Sequence, residues 1–155
     1  MNKIDTQSYK TKYAEFVMGS YNEKLCLLDF KYRKMRGAVD KRIKQGLQAE
    51  FVDRDDWVLQ AARSQLDEYL AGNRKVFDLP LLLVGSDFQQ SVWRALIEVP
   101  YGETSSYLQL SQRIGNTKAV RAVASANGAN AIAIIVPCHR IIGSNGDLVG
   151  YGGGL

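Results

Sequence analysis

The spacing of apolar and polar positions changes period several times along the chain, and each change marks an element. Tyr13 to Met18 and Leu25 to Phe30 are short β-prone runs separated by Gly19, Ser20, Tyr21, Asn22 and Glu23, which predicts a hairpin with a longer loop. An antiparallel sheet is therefore expected to open the protein. Ala49 to Val52 can add a strand. From there the period lengthens to helical spacing, with an apolar stripe of Val58, Ala62, Leu66 and Tyr69 that Asp55 or Asp56 can cap and Gly72 and Asn73 can stop. Arg74 to Gly85, with Pro80 inside it, reads as a connection between two lobes.

The second lobe opens with Ser86 or Asp87 as an N-cap and Phe88, Val92 and Leu96 on one helical face, ending before Pro100, Tyr101 and Gly102. Thr104 or Ser105 can cap a helix to Ile114, where Gly115 breaks it, and Asn116 or Thr117 can cap another through Ala126, stopped by Asn127 and Gly128. Two helices around a tight turn give the outline of a helix-turn-helix. Ala131 to Val136, apolar and β-branched, predicts a buried strand that ends at Pro137, Cys138, His139 and Arg140. Ile141 and Ile142 follow, and the Asn145 and Gly146 pair predicts a tight turn back to Leu148 and Val149.

Composition narrows the possibilities. With 155 residues, 46% hydrophobic and 23% charged, the chain suits one domain or two small lobes. No window approaches the roughly 18 uninterrupted apolar residues of a membrane span, and the polar start, Met1 to Lys12, lacks the apolar core of a secretory signal. A cytoplasmic protein with no membrane partner is expected. Two cysteines, Cys26 and Cys138, are too few for a disulfide framework, and with a single histidine a metal site lacks soft ligands. The net charge of +4 is compatible with nucleic acid but does not require it. Lys31, Arg33, Lys34, Arg36, Lys41, Arg42 and Lys44, opposed by Asp40, either touch phosphates or form a solvated loop, the second being favoured.

Two features bear on chemistry. The second helix of the pair carries Ala119, Ala122, Ala124 and Ala126, small enough for close approach to another surface or for internal packing, while Arg121 calls for a carboxylate, phosphate or base. Thiols attack as thiolates, so a reactive cysteine needs a proton acceptor nearby, and His139 follows Cys138 directly. Neighbours in an extended segment point opposite ways, so the two must meet through a water or a local bend. Cys26, set among Leu25, Leu27 and Leu28, reads as an inert buried thiol.

Pro137, Cys138, His139 and Arg140, preceded by Asn130 to Val136 and followed by Ile141, Ile142 and Gly143, resemble the active-site signature of the O6-alkylguanine-DNA alkyltransferases. Phe88 to Leu96, Pro100 and Gly102, Thr104 to Tyr107, Arg121 to Asn130 and Gly150 to Leu155 are similar to that family in order and spacing. The first eighty or so residues resemble its N-terminal lobe in outline only. The resemblance implies an α/β N-terminal lobe with an antiparallel, ribonuclease H-like sheet over 1–80. It implies a mainly α, winged-helix-like C-terminal lobe with the helix-turn-helix over 86–155.

By the same resemblance the protein is a suicide methyltransferase of DNA repair, moving the alkyl group of O6-alkylguanine in double-stranded DNA irreversibly onto Cys138. It acts once, as a monomer and without a cofactor. Cys138, His139 and Tyr107 would be catalytic: His139 takes the thiol proton through water, and Tyr107 gives a proton to the departing base. Arg121, Tyr107, Thr104, Ala122, Ser125 and Ala126 would bind the minor groove, with Arg121 filling the gap left by the flipped guanine and Tyr107 crowding its phosphate. Asn130, Ala133, Ile141, Val149, Tyr151 and Gly153 would form the substrate pocket, where main-chain carbonyls at Cys138 and Ile141 read the guanine amine. Asn130 and Arg140 would also be structural.

Two departures from the family pattern carry expectations. The family's relay ends in a glutamate on a helix beyond the Gly-Gly-Leu, whereas the sequence stops at Leu155, so a cut before that helix is expected. Many members have proline where this chain has Ala131 and Ala133, which predicts room for groups larger than methyl. Three rivals remain. A lesion-binding relative would carry tryptophan in place of Cys138, a helix-turn-helix regulator would show sequence preference, and a cysteine hydrolase would turn over. A zinc-bearing regulatory form would need an N-terminal cysteine cluster.

Overall fold

The computed structural model describes residues 2–137 and the backbone of 141–142. These fall into two compact units, Met1–Val84 and Gly85–Leu155.

The first unit is built on a four-stranded sheet of β1 (Asn2–Lys10), β2 (Glu15–Tyr21), β3 (Lys24–Phe30) and β4 (Ala49–Asp53), in the order β3-β2-β1-β4. Its hairpins β1–β2 and β2–β3 are antiparallel, but β4 joins β1 in parallel, pairing Asn2 with Ala49 and Thr6 with Asp53. The expected antiparallel sheet is present as β1, β2 and β3, and β4 extends it in parallel, so the sheet as a whole is mixed. β1 escapes the hydrophobic pattern because Ile4 is its single fully buried side chain, while ladder bonds to β2 and β4 on both sides hold it. The β2–β3 turn is also shorter than expected: Asn22 and Glu23, with φ of 51° and 60°, close it alone, so Gly19 and Ser20 lie within β2 at a bulge.

α1 (Arg36–Leu47) takes up the later part of the basic stretch, Lys31, Arg33 and Lys34 lie in the turn before it, and the stretch is not wholly solvated. Val39 and Ile43 face the core, and Arg33 and Arg36 pair with the fully buried Asp29 at 3.0 and 3.4 Å. Burial pushes the Asp29 carboxyl up, and the two guanidinium groups oppose that shift. Arg36 also pairs with Asp40, and Arg42 donates to the Val84 carbonyl at 3.0 Å. The three arginines that the pattern offered to phosphate thus serve the fold. α2 (Trp57–Leu70) packs Val58, Leu59, Ala62 and Leu66 into the core, capped by Asp56, whose carboxylate accepts from the Leu59 N–H at 2.9 Å. The connection after it covers the free edge of β3: Leu25 N–H donates to the Pro80 carbonyl at 2.8 Å, and Leu82 N–H to Leu25 at 2.9 Å.

The second unit contains α3 (Asp87–Ile97), β5 (Ser105–Ser106), α4 (Tyr107–Arg113), α5 (Val120–Gly128) and β6 (Ile141–Ile142). Ser86 and Gln89 form a capping box on α3, whose Val92, Trp93, Ala95 and Leu96 are buried. A second box, Ser106 with Gln109, starts α4, so the cap is Ser106 rather than Thr104 or Ser105. Gly115 (φ 80°) ends that helix region as expected, in a left-handed conformation that favours glycine. α5 begins later than Asn116 or Thr117 would have it, with Ala119 at the N-cap and no side chain capping the first turn.

Ala131 to Val136 is not a strand. The segment is buried at Ala131, Ile132, Ala133 and Val136, but its chain turns, with Val136 N–H donating to the Ile132 carbonyl at 3.0 Å and Ile134 at φ 70°. Apolar, β-branched residues satisfy burial in a turn as well as in a strand, so the pattern misassigned the conformation.

Candidate functional site

The carboxyl end of α5 and the turn after it are tied by buried hydrogen bonds. Val123, Ala126 and Asn127 face inward, while Arg121, Ala122 and Ser125 are exposed. Ser125 is three residues from Ala122 and four from Arg121, which places them on one outer face, so one cation projects from a patch of small side chains. Among the described residues no ion pair engages Arg121, and the first-turn N–H groups of α5 lack a capping side chain. Such a surface admits a close, anionic partner.

The inner face is anchored three ways. Trp93 on α3 donates its indole N–H to the Ala126 carbonyl at 2.8 Å, a fully buried bond. Asn127 Nδ2 donates to the Tyr107 phenol oxygen at 3.5 Å. Asn130, just past the helix and 3% exposed, accepts from the Ile132 N–H at 2.9 Å and donates to the carbonyls of Val136 at 2.7 Å and Ile132 at 3.3 Å. One amide thus closes the turn 130–136 on itself. On the other side, Ile141 pairs in parallel with Ser105, two residues before Tyr107.

The expected site residues divide accordingly. Thr104 is exposed just before α4, and Tyr107 opens α4 with its ring buried. Arg121, Ala122 and Ser125 share an outer face, but Ala126 does not: it is 1% exposed, and helical geometry turns its methyl into the core, so its assignment to the DNA surface is corrected. Ala133 is buried in the 130–136 turn. Cys138, His139, Arg140, Val149, Tyr151 and Gly153 lie outside the described residues, as do the side chain of Ile141 and the expected 145–146 turn.

Cys26 cannot be the nucleophile. It is 1% exposed, and burial pushes its thiol up to about 12, leaving almost no thiolate at neutral pH. Sequence reasoning missed Trp93 and Asn127. Trp93 lies outside the stripe of Phe88, Val92 and Leu96 that marked its helix, and Asn127 looked like a helix stop, although α5 runs through it to Gly128. Among the described residues no cluster of three or more histidine, cysteine or carboxylate side chains could hold a metal, and no helix is long and apolar enough to cross a membrane.

Two family models match the chain: the ribonuclease-like domain of 6-O-methylguanine DNA methyltransferase over residues 6–83, and its DNA binding domain over residues 87–155. A methylated-DNA--protein-cysteine methyltransferase of Methanosarcina acetivorans is 53% identical over 105 residues, 68% of this chain and 67% of that protein. Its counterpart in Mycobacterium bovis is 54% identical over 101 residues, 65% of this chain and 61% of the relative. Among solved structures, Mycobacterium tuberculosis OGT in complex with DNA superposes with a TM-score of 0.80 at 38% identity, over 97% of this chain and 85% of that one. The O6-methylguanine-DNA methyltransferase of Pyrococcus kodakaraensis, at 19% identity and a TM-score of 0.60 over 100% of this chain and 93% of that one, shares the fold.

Proposed function

Because the chain belongs to the 6-O-methylguanine DNA methyltransferase family, matching models of both its domains, we propose that it repairs DNA by moving the alkyl group of O6-alkylguanine to Cys138. Residues 1–80 form its N-terminal lobe, and residues 86–155 carry the DNA surface and the chemistry. The observation that carries this reading is the anchoring of the chain on both described sides of Cys138. Asn130 grips the Val136 carbonyl two residues before it, and Ile141, three residues after, pairs with Ser105 beside Tyr107. A nucleophile is productive only when held within a fraction of an ångström of its line of attack, and such a frame supplies that.

The steps follow from the chemistry of a saturated carbon. The Cys138 thiolate attacks in line, a sulfur–carbon bond forms, and the carbon–O6 bond breaks with its electron pair going to guanine. His139 takes the thiol proton through water, and Tyr107 returns one to the departing base. The thioether does not reverse, so each molecule reacts once. Guanine reaches the thiolate by flipping out of the duplex at a cost of a few kcal/mol. Arg121 offsets this by entering the stack from the minor groove, where Ala122 and Ser125 allow the α5 backbone to come close and Thr104 and the phenol edge of Tyr107 meet the strand. Asn130, Ala133, Ile141, Val149, Tyr151 and Gly153 line the base pocket, and Arg140 supports it. The protein works as a monomer in the cytoplasm.

Incubation with a duplex containing O6-methylguanine tests the reading by intact mass. The expected result is a gain of one methyl group per molecule, mapped to Cys138, after which reaction stops; turnover or an unchanged mass sinks it. The pocket makes a second prediction. Alanine at position 133 leaves space that proline would fill, so Ala133→Pro should slow debenzylation relative to demethylation by about tenfold, the usual worth of one or two methylenes in a pocket. The ratio of the two single-turnover rates measures it, and an unchanged ratio refutes it.

A further inference from the structure

We propose that Asn127 is a positioning residue for the Tyr107 phenol. From the last turn of α5 its amide holds the phenol oxygen at the start of α4, so that the phenol's own proton is directed away from the protein interior. This inference rests on the reading of Tyr107 as proton donor and extends it to a residue that no motif signals.

The case begins with an energetic oddity. Asn127 is 1% exposed and shares the inner face of α5 with Val123 and Ala126, where an apolar side chain would bury no polar atoms. A buried amide is tolerated when its polar atoms are satisfied, yet Asn127 Oδ1 has no hydrogen-bond partner among the described residues. Its described side-chain contact is the one from Nδ2 to the Tyr107 oxygen, at 3.5 Å. The amide therefore sits in an apolar setting for the sake of a single contact, and that contact is to the phenol.

Its direction is informative. A phenol oxygen that accepts from Asn127 keeps its own hydrogen to donate elsewhere. When the carbon–oxygen bond of the lesion breaks, its electron pair goes to the base, the phenol proton follows, and the phenolate left behind retains the Asn127 N–H. A bond that is long before substrate binds and shortens as charge develops acts on the transition state more than on the ground state. Arg121, Ala122 and Ser125 project from the outer face of the same helix, so a duplex seated on α5 would press on the element that holds the phenol.

The test is a double-mutant cycle on the full chain, read by single-turnover demethylation of a methylated duplex. Asn127→Leu should slow the saturating rate about tenfold, as loss of one hydrogen bond to a developing charge does, while the duplex concentration for half-maximal rate moves less than twofold. Alkylation of Cys138 by iodoacetamide, whose iodide leaves without a proton, should stay within twofold. In a Tyr107→Phe background Asn127→Leu should add nothing further. Equal slowing with and without the phenol overturns the proposal, as does a matching loss in the iodoacetamide reaction. Asn127→Ala, which avoids the leucine's shape, supplies the same readings if Asn127→Leu does not fold. Should Tyr107→Phe demethylate at the parental rate, the assignment of Tyr107 itself falls, and that result is separate from either outcome for Asn127.

Discussion

Replacement of Cys138 by serine is expected to abolish demethylation while leaving binding to the methylated duplex within about twofold. A serine hydroxyl is far less ionised than a thiol and a harder, weaker nucleophile toward saturated carbon, so loss of the thiolate should lower the rate by on the order of 10⁶, the scale seen when an enzyme loses its nucleophile. Binding should survive because it draws on the outer face of α5 and on phosphate contacts, none of which uses the sulfur. The remaining thiol cannot substitute: Cys26 is sealed in the first unit, and burial pushes it up to about 12. Intact mass and titration of a fluorescent duplex read the two halves. Methyl transfer by the Cys138→Ser protein, or a methyl group found on Cys26, would remove the basis of the assignment.

Much of this was legible in the chain, for identifiable reasons. Helices announced themselves where an apolar stripe met a capping residue, as with Asp56 before α2 and Ser86 before α3. The pattern failed where something other than a stripe decides structure. β1 is held by ladder bonds on both edges and buries little besides Ile4, so its side chains carry almost no signal. α1 was hidden because its first residue, Arg36, and Arg33 just before it answer a buried carboxylate, Asp29, seven residues before the helix begins and invisible to a local reading of charge. At the site the motif gave the chemistry but not the scaffold. Residues 131–136 have strand-like composition and yet turn, because the side chain of Asn130 supplies the hydrogen bonds that a neighbouring strand would have supplied. Ala126 shows the converse. Small size suggested contact with DNA, but which side of α5 it occupies depends on what Trp93 and α4 pack against, and no spacing rule contains that.

Asn130→Ala should carry the largest penalty outside the nucleophile itself, because the amide is the closure of the 130–136 turn. Its removal leaves the Ile132 N–H and the Val136 carbonyl without the bonds of 2.9 and 2.7 Å that satisfy them in a buried setting. Each of the two stranded groups costs about 1–3 kcal/mol, so stability should fall by roughly 2–6 kcal/mol, measured as a lowered urea midpoint with an unchanged slope. The effect on chemistry should exceed what instability explains. Val136 precedes Cys138 by two residues, and loosening its carbonyl by about 1 Å would misalign a nucleophile by enough to cost about 10²-fold in rate. Measured below the onset of unfolding, the saturating demethylation rate should therefore drop about a hundredfold. Asn130→Asp sharpens the point: it keeps the acceptor for the Ile132 N–H but turns a donor into an oxygen facing the Val136 carbonyl. If the turn matters through that carbonyl, aspartate should rescue little of the rate; if aspartate restores it, the Ile132 bond alone shapes the turn and the anchoring of Val136 is incidental.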